Sequence, residues 1–433
     1  MKKIDVLLGL QWGDEGKGKI VDVLTPEYDI IARFQGGPNA GHTLEFNGIK
    51  HVLHTIPSGI FHENKINVIG NGVLIDLYIF NKEIEKLSER NIDASKNLKI
   101  SKKAHLILPS HRLLDAVYEK AKGNSKIGST LKGIGPAYTD RTARNGLRIG
   151  DTQRSDFSER YNQLKKLHFE IIKNHQLNAE ELIIENMPFS EYEEKWLSVI
   201  NKLKNFDLID SEYFINNALK NNQSILAEGA QGSLLDIDFG SYPYVTSSNT
   251  ITAGVCTGLG VSPDKIGKVL GVFKAYCTRV GSGPFPTELF DKDGEKIRET
   301  GREFGSTTGR PRRCGWLDLP ALNYAIMLNG VTELIVTKID VLNSFEELKI
   351  CKSYNFKNNI IDFIPFEAEE SALIPNYEEI SGWNSNINEI MTYNQFPEKL
   401  KNYITYIENN VNIPISIVSN GPDRTKTIFR NSK

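Results

Sequence analysis

Gly13-Asp14-Glu15-Gly16-Lys17-Gly18-Lys19-Ile20 follows a short apolar run, Ile4-Asp5-Val6-Leu7-Leu8-Gly9-Leu10. Residues 13–19 fit the pattern G-x-x-x-x-G-K. In such a loop the glycines turn backbone N–H groups toward a polyphosphate, and the lysine adds charge at the start of the next helix. Ile20, Val21, Val23 and Leu24 supply that helix with an apolar face. A strand, a phosphate-cradling loop and a helix in this order predict an α/β fold. One position departs from the pattern. Ile20 stands where Ser or Thr usually offers a hydroxyl to magnesium, so Asp14 inside the loop becomes the oxygen donor for a hard cation.

The same rhythm recurs along the chain. Ile30–Phe34 leads into Gln35-Gly36-Gly37-Pro38-Asn39-Ala40-Gly41-His42-Thr43, and Val68-Ile69 into Gly70-Asn71-Gly72. Ile225–Ala227 precedes Glu228-Gly229-Ala230-Gln231-Gly232; further strand-like runs are Val269–Lys274, Leu334–Thr337 and Ile413–Val418. Strands with glycine-rich loops at their C-terminal ends predict a large, mainly parallel central sheet with a P-loop-NTPase-like nucleotide site. Residues 151–222 read differently. Phe157, Tyr161, Leu164, Leu167 and Ile171 recur at helical spacing, as do Trp196, Ile200 and Leu203. The expected organisation is one large α/β domain, residues 1–433, with a helical insertion at about 151–222. The glycine-rich, basic stretch 123–150 reads as a long loop.

Composition narrows the class. Lys plus Arg total 52 against 54 Asp plus Glu, a formal net charge of −2, which argues against a nucleic-acid-binding surface. The four cysteines are scattered without a C-x-x-C, so a reducing, cytoplasmic setting is the expectation. No apolar run reaches the ~18 residues a membrane helix needs.

Several loops carry candidate chemistry. Thr337-Lys338-Ile339-Asp340 ends an apolar strand. A carboxylate there can accept both N1–H and the 2-amino group of guanine, and the lysine stem can cover the base. Ser419-Asn420-Gly421-Pro422-Asp423 could close the same pocket, favouring GTP over ATP. His42 lies in a strand-end loop of the kind that carries catalysis. Gly305-Ser306-Thr307-Thr308-Gly309-Arg310-Pro311-Arg312-Arg313 is an anion receptor suited to carboxylates. His51 and His54 lack a supporting cluster for a metal. Asp236 and Asp238 read as structural.

Taken in order, these motifs resemble the adenylosuccinate synthetase family. The resemblance runs from Gln11–Lys19 through Asn39–Thr43, Gly133-Ile134-Gly135-Pro136-Ala137-Tyr138, Glu228–Gly232, Tyr242–Asn249, Gly283–Glu288, Thr307–Arg313 and Thr337–Asp340 to Gly421–Thr425. It implies a GTP-dependent ligase joining IMP and L-aspartate to give adenylosuccinate, GDP and phosphate through 6-phosphoryl-IMP. Asp14 then matches the general base and His42 the acid, with Lys17 among the lysines that stabilise the moving charge. GTP would be held by Gly13, Asp14, Glu15, Gly16, Lys17, Gly18, Lys19, Gly41, His42, Thr43, Arg312, Lys338, Ile339, Asp340, Ser419, Asn420 and Gly421. IMP would meet Asp14, Asn39, Thr130, Arg144, Gln231, Thr246 and Arg310, with Arg144 reaching in from the second subunit of a homodimer. Ser306, Thr307, Thr308, Arg310 and Arg312 would receive aspartate, and Asp14 with the Gly41 carbonyl would hold Mg²⁺. A GTP-binding switch is the competing reading; the Ile20 departure and the Arg-Thr loop speak against it.

Overall fold

The computed structural model describes residues 2–123, 128–305, 309–367 and 372–430. Among these residues the main sheet has ten strands. In chain order they are β1 (Ile4–Gly9), β2 (Ile30–Arg33), β3 (Ile66–Ile69), β4 (Leu98–Ser101), β5 (Asp207–Ile209), β6 (Ile225–Glu228), β7 (Ile266–Lys274), β8 (Glu333–Thr337), β9 (Ile415–Ser419) and β10 (Thr427–Phe429). Their spatial order is β5-β4-β3-β2-β6-β1-β7-β8-β9-β10. All neighbours are parallel except the edge pair β9–β10. The predicted mainly parallel α/β fold is therefore the observed one.

The central strands are apolar because both faces are covered. Along β1, Val6 and Leu8 enter the large core with Val269, Phe273 and Leu334, whereas Leu7 faces Ile20, Val21 and Leu24 of the helix Lys17–Leu24. Period-two alternation thus sends successive side chains of one strand to different layers. The register pairs Ile4 with Ile225 and Leu7 with Glu228 on one side, and Leu7 with Leu270 on the other. From β1 the chain builds outward through β2 to β5, returns to β6 beside β1, then continues on the other side from β7. β1 therefore lies at the reversal of strand order, where ligands bind parallel sheets beyond the strands' C-terminal ends.

Residues 151–222 hold the helices Phe157–Asn174, Phe189–Lys202 and Ser211–Lys220, and also β5, which pairs with β4. Phe157, Tyr161, Leu164, Ile172 and Trp196 share one core cluster with Ile69 and Ile100 of the sheet. The buried stripe differs from the expected one at its end. Leu167 is 42% exposed, and His168 and Ile172 are buried instead. Spacings of 4, 3, 4 and 4 follow the 3.6-residue helix without drift, and His168 earns its inward place by hydrogen bonding. The segment 123–150 also departs from the long-loop expectation, because Ile134–Ala143 is a helix. Gly133, at φ 75°, turns the chain into it, and Ile134 and Ala137 pack on Leu74 and Ile107.

That helix is fastened by Asp140. His111 Nε2 and His168 Nε2 each lie 2.8 Å from Asp140 Oδ2. Among the described residues these three form the one group with metal-ligand geometry. The hydrogen bonds give it another role. His111 Nδ1 accepts from the Leu108 N–H at 2.9 Å, so its Nε2 carries the proton and donates to Asp140. His168 Nδ1 is met by Ser110 Oγ at 2.8 Å. The carboxylate is a buried clasp across the helices Pro109–Ala121, Ile134–Ala143 and Phe157–Asn174.

Burial pushes His42, His51, His105 and His111 each down to about 4. Folded, they stay neutral where the unfolded chain would protonate them. Their contribution to stability is complete above pH 6.5 and is lost as pH drops toward 4. Thermal melts at pH 7 and pH 5 should differ by roughly 5–10 °C. Equal melting temperatures would contradict this burial pattern.

Candidate active site

The loops after β1, β2, β6, β7, β8 and β9 converge at one end of the sheet. Glu15 shapes the first of them. Its buried carboxylate accepts from the N–H groups of Gln11 (3.1 Å) and Gly13 (2.9 Å) and pairs with Lys17 Nζ at 2.5 Å. There is room for it only because Gly9 and Gly232 lack Cβ atoms, which would sit 2.2 and 2.5 Å from its oxygens. Gly18 likewise lets the helix start approach His42, whose Cβ would be 2.7 Å from an added Cβ.

Lys19, the last residue of the phosphate-loop pattern, is buried and turned toward the base loop. Its Nζ donates to Ser419 Oγ (2.7 Å) and to the carbonyls of Gly421 (2.7 Å) and Lys426 (2.9 Å). Burial pushes its ammonium down to about 7, against the nearby charges of Asp340 and Asp423. Thr337 makes a second tie, donating from Oγ1 to the Glu15 carbonyl at 2.7 Å. These contacts bring the expected guanine reader, Lys338 to Asp340 with Ser419 to Gly421, against the expected phosphate loop. Lys338 Nζ donates to the Gly301 carbonyl at 2.8 Å. Asp340 is half-buried, and burial raises its carboxyl. Asn420 is anchored by its Nδ2 on the carbonyls of Ile387 and Ile390, leaving a buried Oδ1 without a partner.

His42 opens the loop-closing strand after Gly41, with Thr43 next in the same strand. Its Nδ1 lies 2.5 Å from Glu228 Oε1. Glu228, at the end of β6, also accepts from Ser58 Oγ (2.6 Å) and the Ser58 N–H (2.8 Å), with Arg33 Nη1 at 3.4 Å. Burial alone would raise Glu228, yet the bond from His42 and the Arg33 charge hold it below the usual carboxylate range. His42 is neutral here, lowered by burial and then by Arg33. A neutral ring donating Nδ1–H to the carboxylate leaves Nε2 as a lone pair, and Nε2 is buried without a partner.

Asn39 Oδ1 and both amide atoms of Gln231 are also buried and unpartnered. The loop geometry sets Gln231 against the loops of Gly36 and Gly13. A Cβ on Gly36 would meet Ala230 at 2.7 Å and Gln231 Oε1 at 3.5 Å, and one on Gly13 would meet the Gln231 backbone at 3.7 Å. An unpaired buried polar atom costs about 1–3 kcal/mol, so these atoms can take hydrogen bonds from a polar ligand or water. Asp14, Gln231, Lys338 and Arg144 all have positive φ, between 55° and 67°. Such backbone is uncommon for Gln, Lys and Arg and clusters at functional sites.

The remaining expected residues are spread around this end. Thr246 is partly exposed, its N–H bonded to the Leu235 carbonyl. Thr130 is partly exposed between Gly128 and Gly133. Arg310 is exposed beside Arg312. Arg144 caps the helix Ile134–Ala143 and points to the surface. Ser306, Thr307 and Thr308 lie outside the described residues. Arg312 reaches the expected phosphate loop, with Nε 2.7 Å from Asp14 Oδ2. Asp236 is buried and accepts from the N–H groups of Thr250, Asp238 and Phe239, bracing the 232–250 loop. His54 Nδ1 donates to the Ala40 carbonyl at 2.6 Å and supports the loop of Asn39 and His42.

The sequence reading singled out the segment 228–232 without a role for Glu228, and it missed Arg33 and Ser58. An acid ending the otherwise apolar strand Ile225–Ala227 was the available signal.

Comparison with known proteins adds to this geometry. The family profile described as adenylosuccinate synthetase matches residues 6–428. The chain is 59% identical over 427 residues to adenylosuccinate synthetase of Flavobacterium johnsoniae, covering 99% of this chain and 100% of that one. With the Phocaeicola vulgatus protein of the same name it shares 57%, covering 99% of each. Fully ligated adenylosuccinate synthetase from Plasmodium falciparum superposes with a TM-score of 0.92 at 38% identity, covering 99% and 100% of the two chains. A cyanophage S-2L succinoaminodeoxyadenylate synthetase, at 20% identity and a TM-score of 0.62, shares the fold.

Glu228→Gln keeps the shape of the His42 partner and removes its charge. Turnover should fall about a hundredfold, and Ser58→Ala should cost about tenfold or less. Steady-state rates check this; an unimpaired Glu228→Gln protein would detach His42 from that carboxylate.

Proposed function

This chain belongs to the adenylosuccinate synthetase family, and from that premise we propose how its residues join IMP to L-aspartate at the expense of GTP. The products are adenylosuccinate, GDP and phosphate. The observation that supports the residue roles is the Asp14–Arg312 ion pair in the loop after β1, whose Gly18 and Gly13 also lie close to His42 and to the Gln231 backbone.

The chemistry has two stages. Asp14 removes the N1 proton of IMP, and the electron pair moves to O6. O6 attacks the γ-phosphorus of GTP, the bond to the β–γ bridging oxygen breaks, and GDP leaves. The aspartate amine then attacks C6, the C6–O6 bond breaks, and phosphate departs with the original O6 and takes up the proton the amine loses. A poor leaving group has become a good one. His42 is neutral as it stands beside Arg33; a polyanion beside it favours protonation at Nε2. Held by Glu228 through Nδ1, it can then donate to the transferring phosphoryl group. Lys17 adds a buried positive charge on the same loop.

A hard divalent cation suits the donors present. Ile20 removes the hydroxyl expected of a phosphate loop, and the partly exposed Asp14 carboxylate already attracts one cationic group. Asp14 and the Gly41 carbonyl would hold Mg²⁺, which when bound neutralises charge on the phosphates.

IMP is assigned to Asn39, Thr130, Gln231, Thr246 and Arg310, with Arg144 from the partner of a homodimer. The exposure of Arg144 at a helix end supports this assignment, since such a guanidinium can reach a neighbouring subunit. Aspartate is assigned to residues 306–308, Arg310 and Arg312. Guanine is read by Asp340 under Lys338, closed by Ser419 to Gly421. Among the described residues no helix is long and apolar enough to cross a membrane; a cytoplasmic location belongs to this reading. Residues 1–433 are read as one α/β body with 151–222 inserted at its edge.

Omitting each component in turn tests the reaction. Phosphate should appear from GTP only when IMP and aspartate are both present, and release from GTP alone would overturn the ligase in favour of a switch. Asp14→Asn should lower turnover at least about a hundredfold; near-normal turnover removes its role as base. Mixing inactive Asp14→Asn and Arg144→Leu proteins should restore activity, because a mixed dimer carries one intact site. No recovery would contradict the shared site.

A further inference from the structure

Behind Arg312 lies a buried carboxylate with no part in the chemistry above. Glu303 is fully buried just beyond the helix Lys292–Gly301. Both its oxygens lie 3.0 Å from Lys274 Nζ. Oε1 accepts from Tyr276 Oη at 2.5 Å and lies 3.9 Å from Lys338 Nζ. Oε2 is 2.5 Å from Arg312 Nη1. The backbone repeats the link: the Arg312 N–H donates to the Glu303 carbonyl at 2.8 Å.

We propose that Glu303 is a positioning residue for the aspartate site, holding Arg312 by one end of its guanidinium so that the other end faces Asp14 and the incoming carboxylate. The inference rests on the reading of Arg312 as an aspartate ligand.

The two carboxylates on Arg312 differ in kind. Asp14 has a side chain 31% exposed and sits at the pocket mouth, so water or a ligand can replace it. Glu303 is sealed, and exchange there would strand a buried charge. Arg312 therefore keeps Glu303 as its permanent partner and exchanges Asp14 for substrate. An arginine held in this way loses little freedom when it binds a carboxylate. Lys274, buried beside Glu303, adds a cation that fixes the carboxylate from the far side. The Lys338 contact carries the same anchor to the guanine reader.

The test measures KM for each substrate and the melting temperature. Glu303→Gln should raise KM for aspartate about tenfold, the scale of one charge-assisted hydrogen bond, with KM for IMP changed less than about twofold. Tyr276→Phe removes a hydrogen bond from the same buried carboxylate and should lower the melting temperature while leaving KM for aspartate within about twofold. Should Glu303→Gln fail to fold, the double variant Glu303→Gln with Lys274→Met removes the buried ion pair together and should show the same rise. Arg312→Leu separates the two levels of the argument. If it leaves KM for aspartate unchanged, the reading of Arg312 fails. If it raises that KM while the Glu303 variants only lower stability or kcat, the positioning role is overturned.

Discussion

One buried ammonium joins the two ends of the chain. Lys19 donates from the phosphate loop to Ser419, Gly421 and Lys426, about 400 residues away in sequence. The rest of the proposed nucleotide site depends on this clasp. A base reader recognises GTP only if it stands at a fixed distance from the phosphates, and here the two halves arrive on different strands, β1 and β9. Two strands, β7 and β8, lie between those two in the sheet. Thr337 at the end of β8 adds a second tie to the Glu15 carbonyl. Register within the sheet sets the approximate spacing, and these side-chain bonds set the remainder.

A second regularity follows from placing many charges in one mouth. The site's ionic groups are matched with one another: Glu15 with Lys17, Asp14 with Arg312, Glu228 with His42 and Arg33, Glu303 with Lys274 and Arg312. Leaving any of them buried and alone would be costly. The sealed pairs, those of Glu15, Glu228 and Glu303, shape loops and orient rings. The Asp14–Arg312 pair is open on its Asp14 side and is the one assigned to substrate in the proposed function. This division keeps the buried charges matched and leaves Arg312 one partner, Asp14, that a substrate anion could replace.

The fold was legible because its signals are local. Apolar runs followed by glycine-rich loops identify parallel strands, and G-x-x-x-x-G-K after the first of them marks the end of the sheet proposed to bind nucleotide. The loops of the site were legible as segments for the same reason. What each side chain does was less so. Lys19 fits a phosphate-loop pattern, but its burial beneath the loop 419–421 is a tertiary fact. His42 stood out in sequence, whereas Glu228 and Ser58, which hold it, are 186 and 16 residues away. Glu303 precedes the anion loop by a few residues and looks like any surface acid until the sheet folds Lys274 and Tyr276 against it. His168 takes the inward place expected of Leu167, because an apolar pattern is silent on whether a polar partner waits on the buried face. The helix Ile134–Ala143 was hidden by the glycines around it, one of which, Gly133, is its start.

The central claim is that this geometry makes O6 of IMP a nucleophile toward GTP and then a leaving group. It is tested most directly by following that one atom. With IMP carrying ¹⁸O at C6, and with GTP, aspartate and Mg²⁺ supplied, each turnover should deliver the label to inorganic phosphate, as read by mass spectrometry. Phosphate that carries no label would mean that water, and not the substrate oxygen, had attacked GTP, and would contradict the account.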